Sequence, residues 1–93
     1  MVMMIKTQLP VWCSAIEQLP DMEGTNYSEN LILRMIDETG YITIDTGYHV
    51  DFGVSSDGIG RKWVNTKTGQ HSIEMVDGKL TQNFAVTHYM IVS

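Results

Sequence analysis

Glycines recur at positions 40, 47, 58, 69 and 78, and the stretches between them are short and rich in Ile, Val, Tyr, Phe and Thr. A chain interrupted this often leaves little room for helices of three turns, whereas strands of about five or six residues fit between turn signals at that interval. The spacing therefore predicts a mainly β domain, α+β at most: one small antiparallel sheet of five or six strands. The pattern is densest from Asn30 to Val54, where NLILRM, DETG, YITID, TG and YHVDFGV follow one another. It reads as three strands of a meander with turns at Asp37–Gly40 and Thr46–Gly47. In the third strand Tyr48, Val50, Phe52 and Val54 alternate with His49, Asp51 and Gly53, the period of a half-buried strand.

The flanking segments follow from the same local rules. Leu9-Pro10 and Leu19-Pro20 each end a segment, because the residue before proline is held extended. Between Val11 and Leu19 one short helical turn is expected, with Ser14 as N-cap and Glu17 as its capping-box partner. SSDGIGRK, from Ser55 to Lys62, reads as a loop, and Asp77-Gly78 carries the residue pair favoured in a type I′ hairpin. The last segment, Leu80 to Val92, reads as one long strand with Phe84, Val86, His88 and Met90 on one face and Ala85, Thr87, Tyr89 and Ile91 on the other. The alternation places Trp12, Leu31, Leu33, Val50, Phe52, Ile73, Phe84 and Val86 in the core.

Ninety-three residues make a single domain spanning 1–93, since a chain this size buries only roughly 60 to 65% of its unfolded surface and cannot build a second core. The composition, 43% apolar and 18% charged, is that of a folded domain. No apolar run approaches the roughly 20 residues of a bilayer span. The opening MVMMIKTQ lacks the features of a signal peptide, and a lone Cys13 suits a reducing compartment, so a cytoplasmic location is expected. Charge is uneven. From Glu17 to Asp57 nine acids stand against Arg34 alone, a local balance of −8 within a net charge of −5. Such a surface disfavours direct binding to a nucleic-acid backbone and favours a basic partner. Asp37, Glu38, Asp45, Asp51 and Asp57, with Trp63 as an aromatic anchor, are the candidate partner-binding residues. The plainer reading is that these acids only keep the domain in solution.

Residues that could carry chemistry are sparse. Asp45-Thr46-Gly47 matches the aspartic-protease signature, in which two carboxylates of a homodimer share a proton. A small residue normally follows that glycine, however, and here Tyr48 does; a hairpin turn accounts for the same residues. His49, His71, His88 and Cys13 are not spaced as a metal site, so each reads as a structural residue, with no metal and no cofactor expected. Gly58-x-Gly60 before Arg61 and Lys62 lacks the strand-to-helix setting and the Lys-Ser/Thr of a P-loop.

Trp12-Cys13-Ser14, Glu17 and Leu19-Pro20, together with the closing Val86-Thr87-His88-Tyr89-Met90, resemble a family of small phage and prophage proteins of unknown function. Members of that family open W-I-S, an acid, then L-P, and close V-T-H-W-M-P-L-P. Leu31-Ile32-Leu33 sits where the family has its first apolar strand. The resemblance covers about a fifth of the chain, with Cys13 in place of Ile, Tyr89 in place of Trp and Ile91-Val92 in place of the Pro-Leu tail. It implies a phage accessory protein in the cytoplasm of a bacterial host and supplies no catalytic residues. The combined expectation is a non-enzymatic protein, a homodimer being compatible with its size. It would bind and inhibit or modulate a host protein with a basic surface, such as a nucleic-acid-binding defence or regulatory factor. The alternatives are a small hydrolase built on Asp45, a nuclease-like metal site on Asp and His side chains, or a structural phage component.

Overall fold

The computed structural model describes residues 11–22, 24–53 and 59–91. They form seven strands: β1 (Cys13–Ser14), β2 (Leu31–Ile36), β3 (Ile42–Asp51), β4 (Arg61–Asn65), β5 (Ile73–Val76), β6 (Lys79–Gln82) and β7 (Ala85–Ile91). Five of them make an antiparallel sheet in the order β1-β7-β2-β3-β4, and β5 and β6 make a separate hairpin. No helix occurs among the described residues. Between Val11 and Leu19 the expected turn is present but single: Ser14 Oγ accepts from the Glu17 N–H at 3.4 Å and the Ser14 carbonyl from the Gln18 N–H at 3.1 Å. One turn gains too few backbone bonds to propagate, and Cys13 and Ser14 instead pair with Tyr89 and His88 of β7.

The β2–β3 ladder runs without interruption from Leu31↔Gly47 to Ile36↔Ile42. Its turn is held by Asp37, whose Oδ1 accepts from the Thr39 N–H (2.9 Å), the Thr39 hydroxyl (2.6 Å) and the Tyr41 N–H (3.0 Å). Gly40 closes the turn at a φ of 88°, a conformation that costs a residue with a Cβ. The turn expected at Thr46-Gly47 is not there. β3 continues through both residues for ten positions, and Gly47 serves close packing: an added Cβ would collide with the Leu33 side chain and the Val64 carbonyl oxygen. The far half of β3 continues beyond the end of β2 and is paired there by the preceding loop. Tyr27 bridges Val50, the Ser28 N–H donates to the His49 carbonyl at 2.9 Å, and the His49 N–H donates to Ser28 Oγ at 2.8 Å.

Leu31, Leu33 and Met35 alternate with Ile32, Arg34 and Ile36 along β2, and the first set is buried to 3% exposure or less. They define the inner face, where they pack with Phe84, Val86 and Tyr89, and with half-buried Cys13, Ala15 and Trp63. A β-bulge displaces the alternation expected for β7. Arg34 pairs with His88 but Met35 with Val86, leaving Thr87 as the extra residue. Val86 and Tyr89 therefore both reach the core, one on each side of the bulge, although strict alternation puts them on opposite faces. The bulge is secured by Arg34, which donates to Thr87 Oγ1 at 2.8 Å, while the Thr87 hydroxyl donates to the Arg34 carbonyl at 3.3 Å.

The Asp77-Gly78 turn has φ values of 51° and 77°, both positive as a type I′ turn requires. Leu80 to Val92 is not one strand: β6 belongs to the hairpin, and the chain passes through Asn83 and Phe84 before β7 starts. Ser72 ties the hairpin to the sheet edge, accepting at Oγ from the Trp63 N–H (2.9 Å) and donating its own N–H to the Trp63 carbonyl (2.8 Å). Of the expected core, Leu31, Leu33, Val50, Phe84 and Val86 are buried and Ile73 is half-buried. Trp12 and Phe52 are not: they are 37% and 47% exposed. Trp12 precedes β1 and meets His88 edge-on at 6.5 Å, and Phe52 lies past the end of β3, where its ring meets Tyr27 at 5.5 Å.

Candidate functional site

The five described residues among the six candidates do not form one patch. Asp37 and Glu38 lie at the β2–β3 turn, while Asp51 ends β3 nine residues after its start, about 30 Å away at the rise of an extended strand. Asp45 lies between them, half-buried, with Oδ1 accepting from the Thr46 N–H at 2.8 Å and Oδ2 3.9 Å from Lys67 Nζ. Asp51 turns its Oδ1 to the Gly53 N–H at 2.8 Å. Asp57 lies outside the described residues, as does Val54. Trp63 is half-buried against the core, its ring 4.7 Å from His49 and 5.9 Å from Tyr89. Thus Asp37, Asp45 and Asp51 each have a backbone N–H to hold, and Trp63 packs internally. Glu38 is exposed, with no hydrogen bond or ion pair among the described residues.

Two hollows lie on the inner side of the sheet, on either side of Phe84 and Gln82, which line both. The first, about 410 Å³, is walled by Asp37, Glu38, Tyr41, Gln70 and Asn83, with no Lys or Arg among its described lining residues. The Asp37 carboxyl is held below the usual carboxylate range, chiefly by the Thr39 hydroxyl; burial opposes this, and the Tyr41, Thr39 and Gly40 N–H groups add to the lowering. The wall is thus anionic at neutral pH. It offers a seat for a cationic side chain.

The second hollow, about 470 Å³, opens between the turn after β1 and the β5–β6 hairpin. Trp63, Phe84 and Val86 form its apolar part, Arg61 and Lys62 also line it, and no Asp or Glu is among its described lining residues. His49 also lines it. The imidazole is 2% exposed, and its Nδ1 has no hydrogen-bond partner among the described residues. Burial pushes the His49 pKa down, the nearby Asp51 charge raises it and Arg61 lowers it. The residue spacing reads His49 as a structural histidine, and the fold leaves its Nδ1 without a partner among the described residues. Only the positive charge of Arg61 and Lys62 beside Trp63 marked this hollow along the chain, and His49 and Ser72 reach it through folding.

Among the described residues no group of three His, Cys, Asp or Glu side chains is placed to hold a metal ion. His88 Nδ1 bonds Thr87 Oγ1 at 3.0 Å, and Cys13 is a half-buried free thiol packed against the core. No helix among the described residues is long and apolar enough to cross a membrane. Comparison with protein-family models, curated proteins and solved structures finds no match.

Proposed function

We propose that the protein is a non-enzymatic binding protein, of phage accessory type, that engages a basic surface of a bacterial host protein and thereby inhibits or modulates it. The observation that carries this reading is the acidic hollow at the β2–β3 turn, where Asp37 and Glu38 stand in a wall with no Lys or Arg among its described residues. A lysine or arginine of the partner would insert there, paired by Glu38 and by the outer oxygen of Asp37. The surrounding −8 balance from Glu17 to Asp57 would steer the approach over longer range. On the opposite face of the ladder Ile42 and Ile44 are 43% and 58% exposed and supply apolar area next to the same turn. A nucleic-acid-binding host factor is the kind of partner whose functional site presents such basic residues. The phage assignment rests on the end motifs Trp12-Cys13-Ser14 and Val86–Met90.

The experiment is a measurement of association rate with a partner recovered from bacterial lysate, for the wild type and Glu38→Lys across a salt series. Steered binding slows as the Debye length falls from about 10 Å at 0.1 M salt to about 3 Å at 1 M, and Glu38→Lys slows it further while the melting temperature stays put. A partner that binds both proteins equally, without salt dependence, rules this reading out.

A further inference from the structure

We propose that the cleft between the β1 turn and the β5–β6 hairpin binds a small organic monoanion, a carboxylate on an apolar body. Its carboxylate would lie between the Arg61 guanidinium and the His49 imidazole. The argument begins with register. His49 pairs with Trp63 and Asp51 with Arg61, so His49 and Arg61 are diagonal neighbours on the inner face, within reach of one shared small ligand. Lys62 also lines the cleft, but it pairs with Val50 at the alternate position of the β3–β4 ladder, so Arg61 is the cation whose register position faces this side.

Arg61 makes no ion pair among the described residues, where the Lys67–Asp45 contact is the one salt bridge. Asp51 pairs directly across from Arg61 on the same face without an ion pair between them, its Oδ1 accepting from the Gly53 N–H at 2.8 Å. His49 is the second, independent sign. A buried imidazole nitrogen without a partner is costly, and such a group in a folded protein calls for an explanation. A ligand oxygen supplies one. His49 lines the cleft, and a rotation of its ring would bring Nδ1 from its buried position to a ligand oxygen there.

Volume and lining select the ligand class. About 470 Å³ lies within the roughly 300 to 1,000 Å³ of small-molecule sites, which are largely apolar with a few placed polar groups. Here Trp63, Phe84 and Val86 would hold the body, with Ile16 and Leu19, 90% and 39% exposed, at the rim. Arg61 offers one cation to this side and Asp51, opposite it, brings a carboxylate to the same face, so the site has charge for no more than one anionic group. A polyphosphate would bring several into a chain of net charge −5, which repels them.

The test is an NMR titration of the full ¹⁵N-labelled chain with phenylacetate and with hexanoate, using phenylacetamide as the uncharged counterpart of the first. At least one acid is expected to shift the Trp63 indole N–H and the Ser72 and Phe84 amides saturably at millimolar concentration. Phenylacetamide, and the acid with Arg61→Gln, should bind roughly two- to fivefold more weakly, the range for loss of a partly exposed charged contact. Glu38→Gln, in the other hollow, should leave the titration unchanged. The proposal fails if neither acid gives saturable shifts at these positions, if the amide binds as well as its acid, or if Arg61→Gln has no effect.

Discussion

The two hollows share a wall at Phe84 and Gln82 and lie on the same side of one sheet, yet they carry opposite charge and differ in how their polar groups are held. At the β2–β3 turn the acids are close in sequence, and Asp37 is fixed by hydrogen bonds within five residues. In the other hollow, Arg61, His49 and Ser72 come from three separate segments and meet only because β3, β4 and the hairpin pack together. The acids of the first are placed by their own turn, although Gln70, Asn83 and Phe84 complete its wall. The second exists only in the assembled fold, and its imidazole is left with an unmet hydrogen bond. A perturbation of the core should therefore damage the second hollow more than the first.

Phe84 is where that difference is most exposed to attack. Phe84→Ala removes a 6%-exposed ring and should cost about 3 to 5 kcal/mol, a large share of the stability of so small a domain. Phe52→Ala, at a ring 47% exposed, should cost no more than about 1 kcal/mol. Urea melts of the two variants measure the contrast, and equal midpoints would break it.

Acid acts next, through His49. Because burial holds the folded-state pKa of His49 below its unfolded value, the unfolded chain binds the proton more readily. Stability is then full above the unfolded value of about 6.5 and declines as pH falls below it, levelling off beneath the folded pKa. His49→Gln should flatten that part of the stability-versus-pH curve, read from melts between pH 8 and pH 5. A curve with the same slope in both proteins would show that the imidazole is not the group responsible.

The smallest effects belong to the acidic hollow, where two adjacent carboxylates should part company. Asp37→Ala removes three turn hydrogen bonds and should lower the melting temperature measurably. Glu38→Gln holds no structure and should leave it within the error of the scan. Hydrogen exchange at Thr39 and Tyr41 gives the local readout: faster in Asp37→Ala, unchanged in Glu38→Gln. If both variants melt alike, the division between a structural and a free acid at this turn is wrong.

Much of the fold was legible along the chain. Turn chemistry located the β2–β3 and Asp77-Gly78 reversals, since Gly40 and Gly78 sit at positive φ and such positions follow from local sterics. Alternation found Leu31, Leu33, Val50, Phe84 and Val86. It failed at Thr46-Gly47, because a glycine chosen for lack of a Cβ against Leu33 looks in sequence like one chosen for a turn. It failed again beyond Val86, because one extra residue in β7 reverses the facing of all that follows. Phe52 was misplaced for a simpler reason, since the strand ends one residue before it.

The sequence by itself determined the strand-rich class, the sites of the tight turns and the concentration of acids before Asp57, because these depend on residues a few positions apart. Only the tertiary structure decided that Tyr89 enters the core, that Asp37 braces a turn while Glu38 stands free, and that His49, Arg61 and Ser72 face one cleft. Each of those outcomes depends on which strands pair and in what register. Pairing is set by long-range packing, in which a single bulge or a missing Cβ shifts every side chain beyond it.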